Sequence, residues 1–141
     1  MTLKQLGAIA LLSMGISAAA YAETCQDTAL YEDMRTLAQN MRPMTQAIRS
    51  NDMDTARELL PAMKAAAESA SQEMPFLFRD GAADSDVAAY EAVMADFTAE
   101  FAALETALAS GDQGAAARAM QALGDVRRTG HGDFKDSSCE D

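Results

Sequence analysis

Two cysteines, Cys25 and Cys139, and one histidine, His131, are all that this 141-residue chain offers of those residue types. The cysteines stand near opposite ends and form no Cys-x-x-Cys spacing, so a redox dithiol or a zinc knuckle has no basis here. Basic residues are also scarce, 11 against 22 acidic ones, for a net charge of -11. That balance argues against nucleic acid as a partner. No segment alternates apolar and polar residues with a period of two, so no sheet is expected. No apolar run approaches the length of a membrane-spanning helix. The longest, Leu6 to Ile16, follows Lys4 and precedes Ala20-Tyr21-Ala22, a small-x-small cleavage pattern. Residues 1–22 therefore read as a secretory signal peptide, and an exported chain with no membrane insertion is expected from residue 23 onward. Lys4 is the only charged residue in the leader, so residues 23–141 would carry 10 basic and 22 acidic residues, a net charge of -12.

What the chain does have is helical periodicity, in four stretches. Leu30, Met34, Leu37, Met41, Met44 and Ile48 recur at steps of four and three, the seam of a bundle helix. Met53, Ala56, Leu60, Met63, Ala67, Ala70 and Met74 repeat that pattern after Ser50-Asn51-Asp52, a short connection rich in N-cap residues. A third seam runs through Val87, Tyr90, Met94, Phe97, Phe101, Leu104 and Leu108, with Asp84 or Ser85 available as its cap. Ser110-Gly111-Asp112 then supplies a C-terminal glycine and the next N-cap. The fourth pattern covers Ala115 to Lys135. Met74 to Asp84, with Pro75 and Gly81, reads as the one long loop, placed to fold over an end of the bundle. Pro43 and Pro61 fall inside the first and second patterns and predict kinks there. Four amphipathic helices with mostly short connections predict an all-α, antiparallel up-down-up-down four-helix bundle, one domain spanning residues 23–141.

That topology brings the start of the first helix and the end of the fourth to the same end of the bundle. Exported cysteines tend to pair, so a Cys25 to Cys139 disulfide stapling the two ends is expected. Counted from this shared end, Met34 lies nine residues from Cys25 and His131 eight from Cys139. At about 1.5 Å per residue the two would sit at one height on adjacent helices if both segments were helical throughout. A thioether and an imidazole facing each other at one level are an axial pair that a haem iron can take. Competing readings stand beside this one. His131, in the stripe Leu123, Arg127, His131, Phe134, serves equally well as a structural hydrogen-bond donor at a helix end. Methionine is a common core filler, and Met94 lies about as far from the same end as Met34. A haem-free binding or stress bundle, or a Cu(I) site of clustered thioethers, would use the same residues.

The segment Asp33-Met34-Arg35-Thr36-Leu37, with Asn40 behind it, resembles the first helix of the soluble cytochrome b562 family. Met63-Lys64-Ala65-Ala66-Ala67 is similar to that family's second helix, and Leu123, Arg127, His131, Phe134 and Lys135 match its closing pattern. The resemblance spans nearly the whole of residues 23–141. It implies one non-covalent b-type haem per chain, held between Met34 and His131 near one end of the bundle, with Arg127 beside the haem edge. It also implies a periplasmic electron carrier, not an enzyme, serving redox partner proteins. Covalent attachment would need Cys-x-x-Cys-His, whereas Arg127-Arg128-Thr129-Gly130 precedes His131. Gly130 and Gly132 flank that histidine, where each glycine weakens a helix by up to about 1 kcal/mol relative to alanine.

Overall fold

The computed structural model describes residues 24–139, so the leader assigned to residues 1–22 lies outside the described residues. Four helices follow in order, α1 (Ala29–Arg49), α2 (Met53–Ala70), α3 (Asp84–Ser110) and α4 (Gln113–Phe134), with no strand among the described residues. Short 3-10 turns at Cys25–Asp27, Phe76–Phe78 and Ser137–Cys139 complete the fold. The helices start where side chains can satisfy their first amides. Thr28 Oγ1 accepts from Tyr31 N at 3.2 Å, Asp52 Oδ1 from Thr55 N at 3.1 Å and Asp112 Oδ1 from Ala115 N at 2.8 Å. The α3 start departs from expectation: the helix begins at Asp84, capped by the extended backbone of Ala83 with no side-chain hydrogen bond. Asp84 and Asp86 instead stabilise its first turn through the helix dipole. Gly111 ends α3 at φ 71°, a left-handed conformation that glycine adopts without the Cβ penalty.

Tight turns make α1 and α2, and α3 and α4, the most closely packed pairs, giving the up-down-up-down order. The end that carries these two turns is firmly tied. Gln113 Nε2 donates to Ile48 O at 2.8 Å, Arg57 Nε donates to Leu108 O at 2.9 Å, and Lys64 pairs with Glu105 across α2 and α3 at 2.7 Å. The largest fully buried side chains, among them Met44, Ile48, Met63, Phe101, Leu104, Leu108 and Leu123, fill the bundle from this end to its middle. Pro43 and Pro61 lie on exposed faces, and the helical assignment runs through both without a break. The second seam stops earlier than expected. The α2 helix ends at Ala70 rather than Met74, and Met74 is 50 % exposed, so it belongs to the connection and not to the core. With Pro75 following, Met74 is disfavoured from helical backbone, which helps set that limit.

The opposite end is built differently. Cys25 and Cys139 form the disulfide expected from the topology, their Cα atoms 5.3 Å apart and 114 positions apart in the chain. Gln26 Nε2 donates to Ser138 O at 2.9 Å beside it. The 71–83 connection folds against this end, as Phe78, Tyr90 and Phe134 meet edge to face with ring centroids 5.4 to 6.2 Å apart. Arg79 extends the same connection to the chain end by pairing with Asp136 at 2.7 Å. Hydrogen bonds from the Ser138 hydroxyl and amide, and then from Arg79, hold the Asp136 carboxyl at about 2, below its ordinary 3.8. A lowered carboxylate pKa gives stability that is complete above the unfolded value and is lost as pH falls through the folded one. The melting-temperature difference between wild type and Asp136→Asn should therefore hold steady above about pH 5. It should shrink below 3.8 and close near pH 2. A difference that stays constant down to pH 2 would remove the carboxylate from this role.

Candidate functional site

Burial along the outer helices is lopsided. In α1 the buried residues are Leu37, Met44, Ala47 and Ile48, and in α4 they stop at Leu123. The apolar residues beyond these limits, Leu30, Met34, Val126 and Phe134, are only partly buried, although they continue the same seams. These residues border a cleft of about 720 Å³ lined by α1, α3, α4 and the chain segments at the disulfide end. Its volume lies within the roughly 300–1,000 Å³ range of small-molecule and cofactor sites. No residue of α2 lines it.

Met34 of α1 and His131 of α4 both line this cleft, and Arg127 lies one turn before His131 on the same wall. The path from each cysteine inward is not helical throughout. Thr28 is extended between the first 3-10 turn and α1, and residues 135–136 interrupt the path from α4 to Cys139. Both residues nevertheless line one cavity. Met94 of α3 and Met41 of α1 line it too, so the spacing ambiguity between Met34 and Met94 carries into three dimensions.

Sequence reasoning passed over several of the lining residues. Arg35 and Lys135 line the cleft as Arg127 does, so three cations and one acid, Asp136, border it in a strongly acidic protein, with Arg35 also 3.7 Å from Glu32. The available signal was adjacency: Arg35 follows Met34, and Lys135 is one turn after His131. Val93 explains Gly130. A Cβ on Gly130 would lie 3.2 Å from Val93 Cγ1, so the glycine lets α4 approach α3 closely in the cleft wall. The helix continues through both Gly130 and Gly132 to Phe134. Burial lowers the His131 pKa below the ordinary 6.5, and the positive charges of Arg127 and Lys135 push in the same direction. All three effects favour a neutral imidazole with a lone pair free to coordinate. An apolar cavity with one neutral imidazole, three thioethers (Met34, Met41 and Met94) and three cations against one acid, Asp136, suits a flat apolar group that carries a metal and has acidic substituents at its edge.

The model of the family described as cytochrome b562 matches residues 29–135. The chain belongs to the cytochrome b562 family. Its four helices without a described strand are the architecture of that family, and membership implies haem binding and electron transfer. Comparison with curated proteins and with solved structures returned no match. No described helix is long and apolar enough to cross a membrane, and no cluster of three or more His, Cys, Asp or Glu side chains among the described residues suits a metal ion. The cytochrome b562 cleft therefore has to be read from its methionines, its histidine and its cationic rim.

Proposed function

We propose that the chain is a periplasmic electron carrier in which residues 23–141 form one domain holding a single, non-covalent b-type haem, with Met34 and His131 as axial ligands. The observation that supports this reading is that Met34 and His131, from the first and last helices, line one apolar cleft. A bound haem supplies an iron that cycles between ferrous and ferric states. Met34 and His131 would hold its iron from two different helices, and with both coordinating no site would remain for a substrate, which restricts the activity to electron transfer rather than catalysis. Arg127, in the cleft wall one turn before His131, would balance an acidic substituent of the bound group with its guanidinium. Non-covalent binding follows from the thiols, because both cysteines are consumed by the disulfide and neither precedes His131 in a Cys-x-x-Cys-His arrangement. The same disulfide supports an oxidising compartment, in keeping with the leader sequence. The acidic surface favours encounter with a basic patch on a redox partner, an attraction that salt weakens.

Hemin titration of the purified chain tests the reading. One equivalent should produce a sharp Soret band with the features of a low-spin iron, and colourless protein that takes up no hemin would refute it. The same titration separates the two methionines. Met34→Ala should retain haem but yield a high-spin spectrum and a lower reduction potential, while Met94→Ala should stay low-spin. The reverse result would transfer the sulfur ligand to α3.

A further inference from the structure

The positive charges of this acidic protein are not spread evenly. Arg57 and Lys64 of α2 and Arg79 of the 71–83 connection each pair with an acid. The basic residues without an ion pair among the described residues are Arg42, Arg49, Arg118, Arg127 and Lys135, all on α1, on α4 or directly after it. Acidic residues outnumber basic ones in the chain, 22 to 11, so this lack of partners is local. From Arg35 to Arg49, α1 carries no acid, whereas α3 carries Asp84, Asp86, Glu91, Asp96, Glu100 and Glu105 and no base.

Arg35, Arg42 and Arg49 recur every two turns, so they form one exposed stripe of α1, about 21 Å long at the usual rise of an α-helix. The stripe starts at the cleft, where Arg35 is a lining residue. Arg42 and Arg49 then border a shallow groove together with Met41, which also lines the cleft. On the α4 side, Arg127 and Lys135 add to the same border. Resting on the haem reading above, we propose that this face of α1, with the adjoining cleft border, is the docking surface for a redox partner protein that presents an acidic patch. Net charge alone would favour a basic partner, but at physiological salt exposed charges more than about 8 Å apart are largely screened. The contact beside the cleft is therefore set by the cations around it, and the attraction for basic patches belongs to the side where α3 carries its acids. Arg42 and Arg49 are decisive, because they lie outside the cleft lining and a group bound in the cleft leaves them free for the partner.

The test uses the hemin-loaded full chain as wild type, as Arg42→Gln with Arg49→Gln, and as Glu58→Gln with Glu91→Gln. The two glutamates are exposed, line no part of the cleft, and their replacement changes the net charge by the same amount in the opposite sense. Unchanged Soret and circular dichroism spectra confirm an intact site and fold in each protein. The probe is an acidic plant-type ferredoxin, whose reduced form passes one electron to the ferric chain in a stopped-flow experiment at low salt. Removing the two arginines should slow this transfer by about fivefold and flatten its salt dependence, while the glutamate variant should change it by less than about twofold. Calorimetric titration with oxidised ferredoxin, in which no electron moves, should rank the affinities in the same order. Equal rates for wild type and the arginine variant, or equal and opposite shifts in the two variants, would overturn the docking face while leaving the haem reading in place. So would binding to phosphatidylglycerol vesicles that requires both arginines while the ferredoxin rate does not. Failure of the wild-type chain to bind hemin would overturn both.

Discussion

His131→Ala should lose haem almost completely, with hemin affinity falling by more than about 100-fold, because groups that merely orient a metal ligand already cost 10–100-fold when removed. The imidazole is the only one in the chain, and its position in the cleft wall leaves no other nitrogen ligand of the same kind to replace it. The loss should be specific to the ligand rather than to the fold. The buried residues of α4 end at Leu123, two turns earlier, so removing a half-buried ring at position 131 opens little of the core. Free imidazole added to the variant should enter the space left by the side chain and restore the low-spin Soret spectrum. Undiminished hemin affinity in His131→Ala would exclude the histidine as a ligand, and lost affinity that imidazole cannot restore would point to a structural role.

Replacing both cysteines, Cys25→Ser with Cys139→Ser, should produce the largest loss of stability of any surface-neutral change. The disulfide spans a sequence separation of 114, and cross-linking a loop of that length removes roughly 4–5 kcal/mol of chain entropy from the unfolded state. Small domains are stable by only about 5–15 kcal/mol, so the variant should be left with a modest margin. Thermal unfolding followed by circular dichroism should show a fall in melting temperature on the order of 15 °C. Haem affinity should fall with it, since Cys25 and Cys139 both line the cleft and hold α1 to α4 across its outer end. A melting temperature within a few degrees of wild type would mean that Gln26, Arg79 and the aromatic cluster hold this end without the covalent link.

The four helices were legible because their seams are long and regular: Leu37, Met44 and Ile48 on α1 and the seam from Tyr90 to Leu108 on α3 are buried as the spacing requires, while Met41 is only partly buried beside the cleft. Gly111 and Asp112 were legible for a different reason: a left-handed residue followed by an N-cap is local chemistry, independent of tertiary contacts. Periodicity failed where it met an opposing local rule. Met74 continues the α2 spacing, yet the following proline disfavours helical backbone there, and the side chain turns outward beside Leu77, which is 42 % exposed. The cleft was legible only in outline. Spacing placed Met34 and His131 near one end, but it could not show that a cavity opens there, because a cavity depends on how helices pack and not on where their apolar residues fall. Arg35, Lys135 and Tyr90 were hidden for the same reason. An arginine or lysine reads as solvated surface and a tyrosine on a seam reads as core until the opening between the helices is known. Pro75 and Phe76 also reach the cleft from the 71–83 connection, whose docking rests on ring-to-ring contacts between residues far apart in the sequence.

The covalent link between residues 25 and 139 has a topological consequence beyond stability. It turns nearly all of the described chain into a closed ring, so a protease that nicks the backbone once between these positions releases no fragment. The most accessible target is the connection around Met74 and Leu77, and a cut there would leave two helical hairpins still joined as a single molecule. Such a nicked species would run as one band without reductant and as two with it, and it would keep both walls of the cleft at high effective concentration.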